Sequence, residues 1–157
     1  MHRAAKWFGV AMLVVIFDQL TKAQIVRHLA DGQSVVVTDF FRLMVVYNPG
    51  AAFSFLAGAS GWQCAFFVVV ALVAIAVISY LLLRHQRESL FCCALSLVLG
   101  GALGNVIDRV RWCAVVDFLL FHWHEYSFPA FNVADSFITI GAGLMIFDAL
   151  RKSSHDK

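Results

Sequence analysis

Residues Trp62 to Leu83 form a run of 22 without a charged side chain, and Leu90 to Ile107 form a second run of 18. As helices rising about 1.5 Å per residue, each is close to the length that crosses a hydrocarbon core about 30 Å thick. The rest of the chain agrees. Only 14% of the 157 residues are charged and 61% are hydrophobic, whereas a soluble domain carries about 25% charged residues. Two further apolar stretches, Trp7 to about Val26 and Val133 to Leu150, are broken by Asp18 and Lys22 and by Asp135 and Asp148. We therefore expect an α-helical integral membrane protein with four transmembrane helices, over about 7–26, 62–83, 90–107 and 133–150, in a single domain 1–157. The N-terminal segment begins like a signal peptide, but DQLTK follows its apolar core where small cleavage-site residues belong, so it reads as an uncleaved first span. A net charge of +2 with no clustered basic groove excludes a nucleic-acid partner.

Basic residues set the expected orientation. Arg3, Lys6, Arg84, Arg87, Arg151, Lys152 and Lys157 fall on one side of the spans, against Arg27, Arg42, Arg109 and Arg111 on the other. Both termini are then cytoplasmic, and segments 30–61 and 110–131 face outward. In the first of these, QSVVVTDFFRLMVVYN is β-branched and aromatic around a Thr38-Asp39 turn, which predicts two strands over about 34–38 and 42–47. Pro49-Gly50 ends the second. The tail RKSSHDK is expected to fray.

The polar residues of the spans collect at one depth. Asn105, Asp108 and Arg109 close the third span, and Asn132 and Asp135 open the fourth. Asp18 lies past the midplane of the first span, with Lys22 one turn on, and Asn48 and Asp117 lie in the outward segments. Charges inside spans face a bundle interior or a wet cavity and mark function. Simpler local accounts exist for several of them. Asp18 and Lys22, four apart with the acid first, suit a helical ion pair. Asp108 beside Arg109 suits an interfacial charge cluster, and Asn132 with Asp135 suits a helix cap favoured by the dipole. None of these explains Asp117 in the apolar run CAVVDFLLF.

Other features carry less. Cys92 and Cys93 sit in an apolar run; Cys64 and Cys113 share the outward side, but spacing supplies no pairing geometry and no disulfide is assigned. FHWHEY holds His122, His124 and Glu125 without a third firm ligand, so it reads as an exposed loop rather than a metal site. Trp62, Trp112 and Trp123 suit an interfacial aromatic belt. Gly100, Gly101 and Gly104 suit close helix packing, and Gly104 alternatively suits a backbone approach to a ligand.

Two carboxylates in a low-dielectric site share a proton, because both cannot ionise cheaply. One can then take a proton from water while the other gives one to a carbonyl oxygen, which is aspartic peptidase chemistry. Asp117 and Asp135 are the natural pair, with Asp108 and Asp18 competing for the second place.

Read in order, DQLTK (18–22), NPGAAF (48–53), GGALGNVIDR (100–109), VVDF (115–118) and FNVADS (131–136) resemble the motif series of lipoprotein signal peptidase, or signal peptidase II. The resemblance runs from the first span to the last. It implies a bacterial inner-membrane aspartic endopeptidase that removes signal peptides from diacylglyceryl-modified prolipoproteins, cutting before the lipidated cysteine. It implies Asp117 and Asp135 as the catalytic pair, with Asn48, Asn105, Asp108, Arg109 and Asn132 binding substrate or ordering the site. It gives Asp18, Lys22 and Gly104 supporting places. It implies no cofactor or metal, substrates and membrane lipid as partners, and an outward β-cradle over about 33–60. AFSFLAG then leads into a surface helix acting as a flap. One chain carries the full set, so we expect a functional monomer. The alternative is a small transporter or channel subunit with an outer-leaflet polar site. A presenilin-like protease is disfavoured, because GALGNVIDR is not a Gly-x-Gly-Asp helix motif. A structural protein whose acids merely cap helices would tolerate Asp→Asn changes.

Overall fold

The computed structural model describes residues 2–50 and 61–155. The proposed flap AFSFLAG and the end of the proposed cradle lie outside the described residues. Among the described residues, four helices are long and apolar enough to cross a membrane. They are α1 (His2–His28), α2 (Trp62–Arg84), α3 (Ser89–Trp112) and α4 (Val133–His155). Each expected span lies within one of them. The helices run past the spans because their polar ends still satisfy helical hydrogen bonds outside the hydrocarbon. At the far end this corrects one expectation: Arg151 to His155 continue α4 rather than fraying. The reason is visible in Asp148, which pairs with Arg151 at 3.1 Å and Lys152 at 2.7 Å, while Lys152 also meets Glu88 at the start of α3.

α3 is the hub, packing against α1, α2 and α4. Its glycines permit the approach. A Cβ on Gly100 would enter Val14 and the Ala11 carbonyl, and one on Gly101 would enter the Ala134 carbonyl. Toward the end that carries both termini, Trp7, Ala11, Leu82, Cys92, Leu95 and Leu99 form a buried apolar cluster.

At the other end lies an antiparallel sheet in the order β1-β2-β3-β4. β1 (Ser34–Thr38) and β2 (Phe41–Asn48) match the expected strands. β3 (Val115–Trp123) and β4 (Tyr126–Ser127) extend the sheet beyond the expected cradle limits. β3 pairs with β2, so that Asp117 lies opposite Val46 and Val115 opposite Asn48. FHWHEY is largely exposed, as expected, but it is a strand hairpin rather than a loop. His122 belongs to β3 and accepts at Nε2 from Arg42 Nε at 3.1 Å, while His124 occupies a tight turn at φ 51°.

A disulfide joins Cys64, in the first turn of α2, to Cys113, which ends α3 in a left-handed conformation, with a Cα–Cα distance of 5.2 Å. Cys113 lies four residues before Asp117. The bond therefore ties the top of α2 to the start of β3.

Candidate active site

The strand β3 enters the top of the bundle with Val115, Val116, Asp117 and Phe118 buried. The chain returns past it just before α4. Phe131 accepts from the Phe118 and Leu119 N–H groups at 3.0 and 2.8 Å and donates to the Leu119 carbonyl at 3.1 Å. That pairing sets Asn132, and hence the first turn of α4, beside Asp117. Asp117 and Asp135 then line one cavity of about 590 Å³ together with Asn48, Asn105 and Arg109; Phe128 to Phe131 and one side of α4 complete its wall.

Three asparagines aim amide N–H groups at the two carboxylates. In each, the carbonyl oxygen is committed to a donor elsewhere, which settles the amide orientation. Asn48 accepts from the Gly50 N–H at 3.0 Å and donates to Asp117 Oδ2 at 3.0 Å. Asn132 accepts from the Asp135 N–H at 3.0 Å and donates to Asp117 Oδ1 at 2.7 Å. Asn105 accepts from Lys22 Nζ at 3.0 Å and donates to Asp135 Oδ1 at 2.8 Å. Asp135 Oδ2 in turn accepts from the Asn132 N–H at 3.3 Å, closing a reciprocal capping box at the start of α4. The local cap expected from the sequence is therefore real, and Asn132 joins it to Asp117.

Beneath this layer lies a buried ionic unit. Lys22 Nζ meets Asp18 Oδ2 at 2.9 Å, Asp108 Oδ2 at 2.7 Å and the Asn105 oxygen. All three ammonium donors are used. The acids hold two backbone segments as well. Asp18 Oδ1 accepts from the Ala134 N–H at 2.9 Å in the first turn of α4, and Asp108 Oδ2 accepts from the Val116 N–H at 3.2 Å, one residue before Asp117. The Asp18–Lys22 pair is thus structural, as its spacing suggested, and it clamps both carboxylate-bearing elements to α1 and α3. Asp108 belongs to this unit rather than to a surface cluster, and is fully buried. Gly104 serves packing, since a Cβ there would collide with the Asp18 carboxylate.

Burial sets the electrostatics of Asp117. It is 4% exposed, and desolvation pushes its pKa up to about 6. The hydrogen bonds from Asn48 and Asn132 oppose that rise, and the nearby charge of Asp135 adds to it. Arg109 stacks its guanidinium over the Phe67 ring at 5.3 Å and donates to the Gly50 carbonyl at 3.3 Å. Its buried Nε has no partner among the described residues.

Gln19 was not anticipated. Its amide nitrogen reaches Asp18 at 3.1 Å, Asp108 at 3.0 Å and the Gly104 carbonyl at 3.2 Å. Its cues were its polarity beside Asp18 in an apolar span and its place inside DQLTK, neither of which gave it a role. The backbone donors of Ala134 and Val116 carry no residue-type signal at all.

Comparison with known proteins decides the family. The description signal peptidase (SPase) II matches residues 10–151. The chain belongs to the signal peptidase II family. A lipoprotein signal peptidase of Paraburkholderia phytofirmans is 55% identical over 148 residues, covering 94% of this chain and 86% of the relative. One of Cupriavidus necator is 56% identical over 146 residues, covering 93% and 83%. A bacterial membrane enzyme solved by the in meso method at 2.3 Å superposes with a TM-score of 0.87 at 35% identity, covering 98% of this chain and 92% of that one. As a signal peptidase II family member, the chain is a multi-pass bacterial membrane protein and an aspartic peptidase. The transporter alternative finds no support in these likenesses.

Proposed function

We propose that this chain removes the signal peptide from diacylglyceryl-modified prolipoproteins, cutting before the lipidated cysteine, with Asp117 and Asp135 as the catalytic pair. One observation carries the assignment: the two carboxylates reach one cavity from different elements, and each accepts an amide N–H from an asparagine whose orientation is settled elsewhere. Burial raises the proton affinity of Asp117, which suits it to the acid's part. Asp135 takes a proton from water as the water oxygen attacks the scissile carbonyl carbon, and Asp117 donates to the carbonyl oxygen. Collapse of the gem-diol breaks the C–N bond, and the cysteine amine leaves with a proton returned from the pair. Asn48, Asn105 and Asn132 hold the pair, and Arg109, which lines the same cavity, offers its guanidinium to an acceptor on the substrate.

The cavity mixes these polar groups with Phe128, Phe131, Ile138 and Ile140, which suits a peptide bond presented beside lipid. The expected setting is the inner membrane, with both termini cytoplasmic, the site outward, a monomer as the working unit and no nucleic acid bound. The mechanism calls on side chains and water, so cleavage is expected to persist in a metal chelator. The test is mass spectrometry of products from a diacylglyceryl-modified prolipoprotein and its unmodified twin. The proposal predicts a cut before the cysteine in the first and at least tenfold slower cleavage of the second. Equal rates on both, or a cut elsewhere, would overturn it.

A further inference from the structure

At the opposite end of the bundle from the carboxylates, a second cavity of about 720 Å³ opens between the start of α1 and the turn joining α2 to α3. Its wall holds Arg3, Arg84, His85 and Arg87 against one acid, Glu88. That acid is engaged: Glu88 meets Lys152, which Asp148 also holds at 2.7 Å. The arginines have no carboxylate partner among the described residues. Arg84 is oriented by its own helix. Its Nε donates to the Tyr80 hydroxyl at 3.1 Å and its guanidinium lies over the Tyr80 ring, leaving the terminal nitrogens free. His85 Nδ1 is tied to the Leu81 carbonyl at 3.1 Å, which fixes its ring at the cavity wall. Below this rim, Tyr80, Leu83 and Val77 are more than half exposed on α2, a surface suited to acyl chains.

We propose that this cavity binds the phosphodiester headgroup of an anionic phospholipid. Its phosphate sits among Arg3, Arg84 and Arg87, and its acyl chains run down the exposed face of α2. Charge complementarity argues for this occupant, because an excess of guanidinium without carboxylate partners at a membrane surface is matched by a lipid phosphate bearing net negative charge. The apolar rim argues against a free anion, which would use only the polar half of the site. Glu88 remains in the wall, its charge met by Lys152.

The test is native mass spectrometry and thermal unfolding of the full chain in detergent with phosphatidylglycerol, phosphatidylcholine or inorganic phosphate. The expected result is one phosphatidylglycerol retained and stabilisation by that lipid alone. Arg84→Gln with Arg87→Gln should weaken its binding roughly tenfold or more, while Arg27→Gln, at the sheet end, should not. Arg3→Gln alone supplies a milder variant should the double one fail to fold. Equal retention of phosphatidylcholine, equal stabilisation by phosphate, or unaltered binding by the arginine variants would each overturn the proposal.

Discussion

Asp117 is costly to keep as a carboxylate, and that cost is measurable. In the unfolded chain a carboxyl of this type titrates near 3.8, and in the fold burial pushes it up to about 6. Below pH 3.8 it is protonated in both states and the fold bears no penalty. Between the two values the folded state holds the proton more tightly, so this contribution is lost as pH rises through about 6. By pH 8 the charged form costs about 3 kcal/mol. Asp117→Asn should therefore unfold at nearly the parent temperature at pH 4 and at a higher one at pH 8. A difference that does not change with pH would contradict the burial account. Lys22 sits at the opposite extreme, being worth more to the fold than its exposed relatives. Lys22→Met leaves two buried carboxylates without their cation and frees the Asn105 amide to rotate. A loss of about 3–5 kcal/mol is expected in thermal unfolding, with a larger fall in kcat than in substrate binding.

At the scale of elements, the outcome turns on how tightly α1, α3 and α4 meet around the ionic unit. Gly104→Ala should cost about 1–3 kcal/mol, read as a lowered Tm, because the new methyl displaces the Asp18 carboxylate. Reduction of Cys64–Cys113 by a dithiol should also lower the Tm, by about 2–4 kcal/mol in stability terms. It should slow cleavage too, since β3 and Arg109 lose their tether to α2. What the sequence revealed at this scale was uneven for physical reasons. The four spans were legible because hydrocarbon demands long apolar runs. β1 and β2 were legible because β-branched residues flank a turn. β3 was not, because VVDFLLFHW is buried along its first half and shows neither a helical nor an alternating pattern. Missing β3 made FHWHEY look like a free loop and hid the partner of Arg42. The disulfide was illegible since Cys64 and Cys113 are 49 residues apart and meet only once α2 and α3 pack.

For the whole molecule, the arrangement places one polar centre where the sheet meets the bundle and leaves the other end to apolar packing and surface charge. The convergence of polar residues on one depth was legible from the order of spans, and Asp117 stood out because an acid in an apolar run far from any local cap needs a reason. The mutual support of these residues was not legible, because Gln19, the Ala134 N–H and the Val116 N–H act through tertiary contacts. The expected orientation has its own check. A phosphatase fused after Lys157 should be inactive in cells, and a fluorescent protein there should glow; the reverse would place the termini outside. The central claim is tested most directly by measuring cleavage of a diacylglyceryl-modified prolipoprotein by the parent, Asp117→Asn and Asp135→Asn, each shown folded by its thermal transition. We predict cleavage by the parent and a loss of at least a thousandfold in either variant, because one carboxyl cannot serve as acid and base together. Cleavage near the parent rate by a folded Asn variant would remove that residue from the pair.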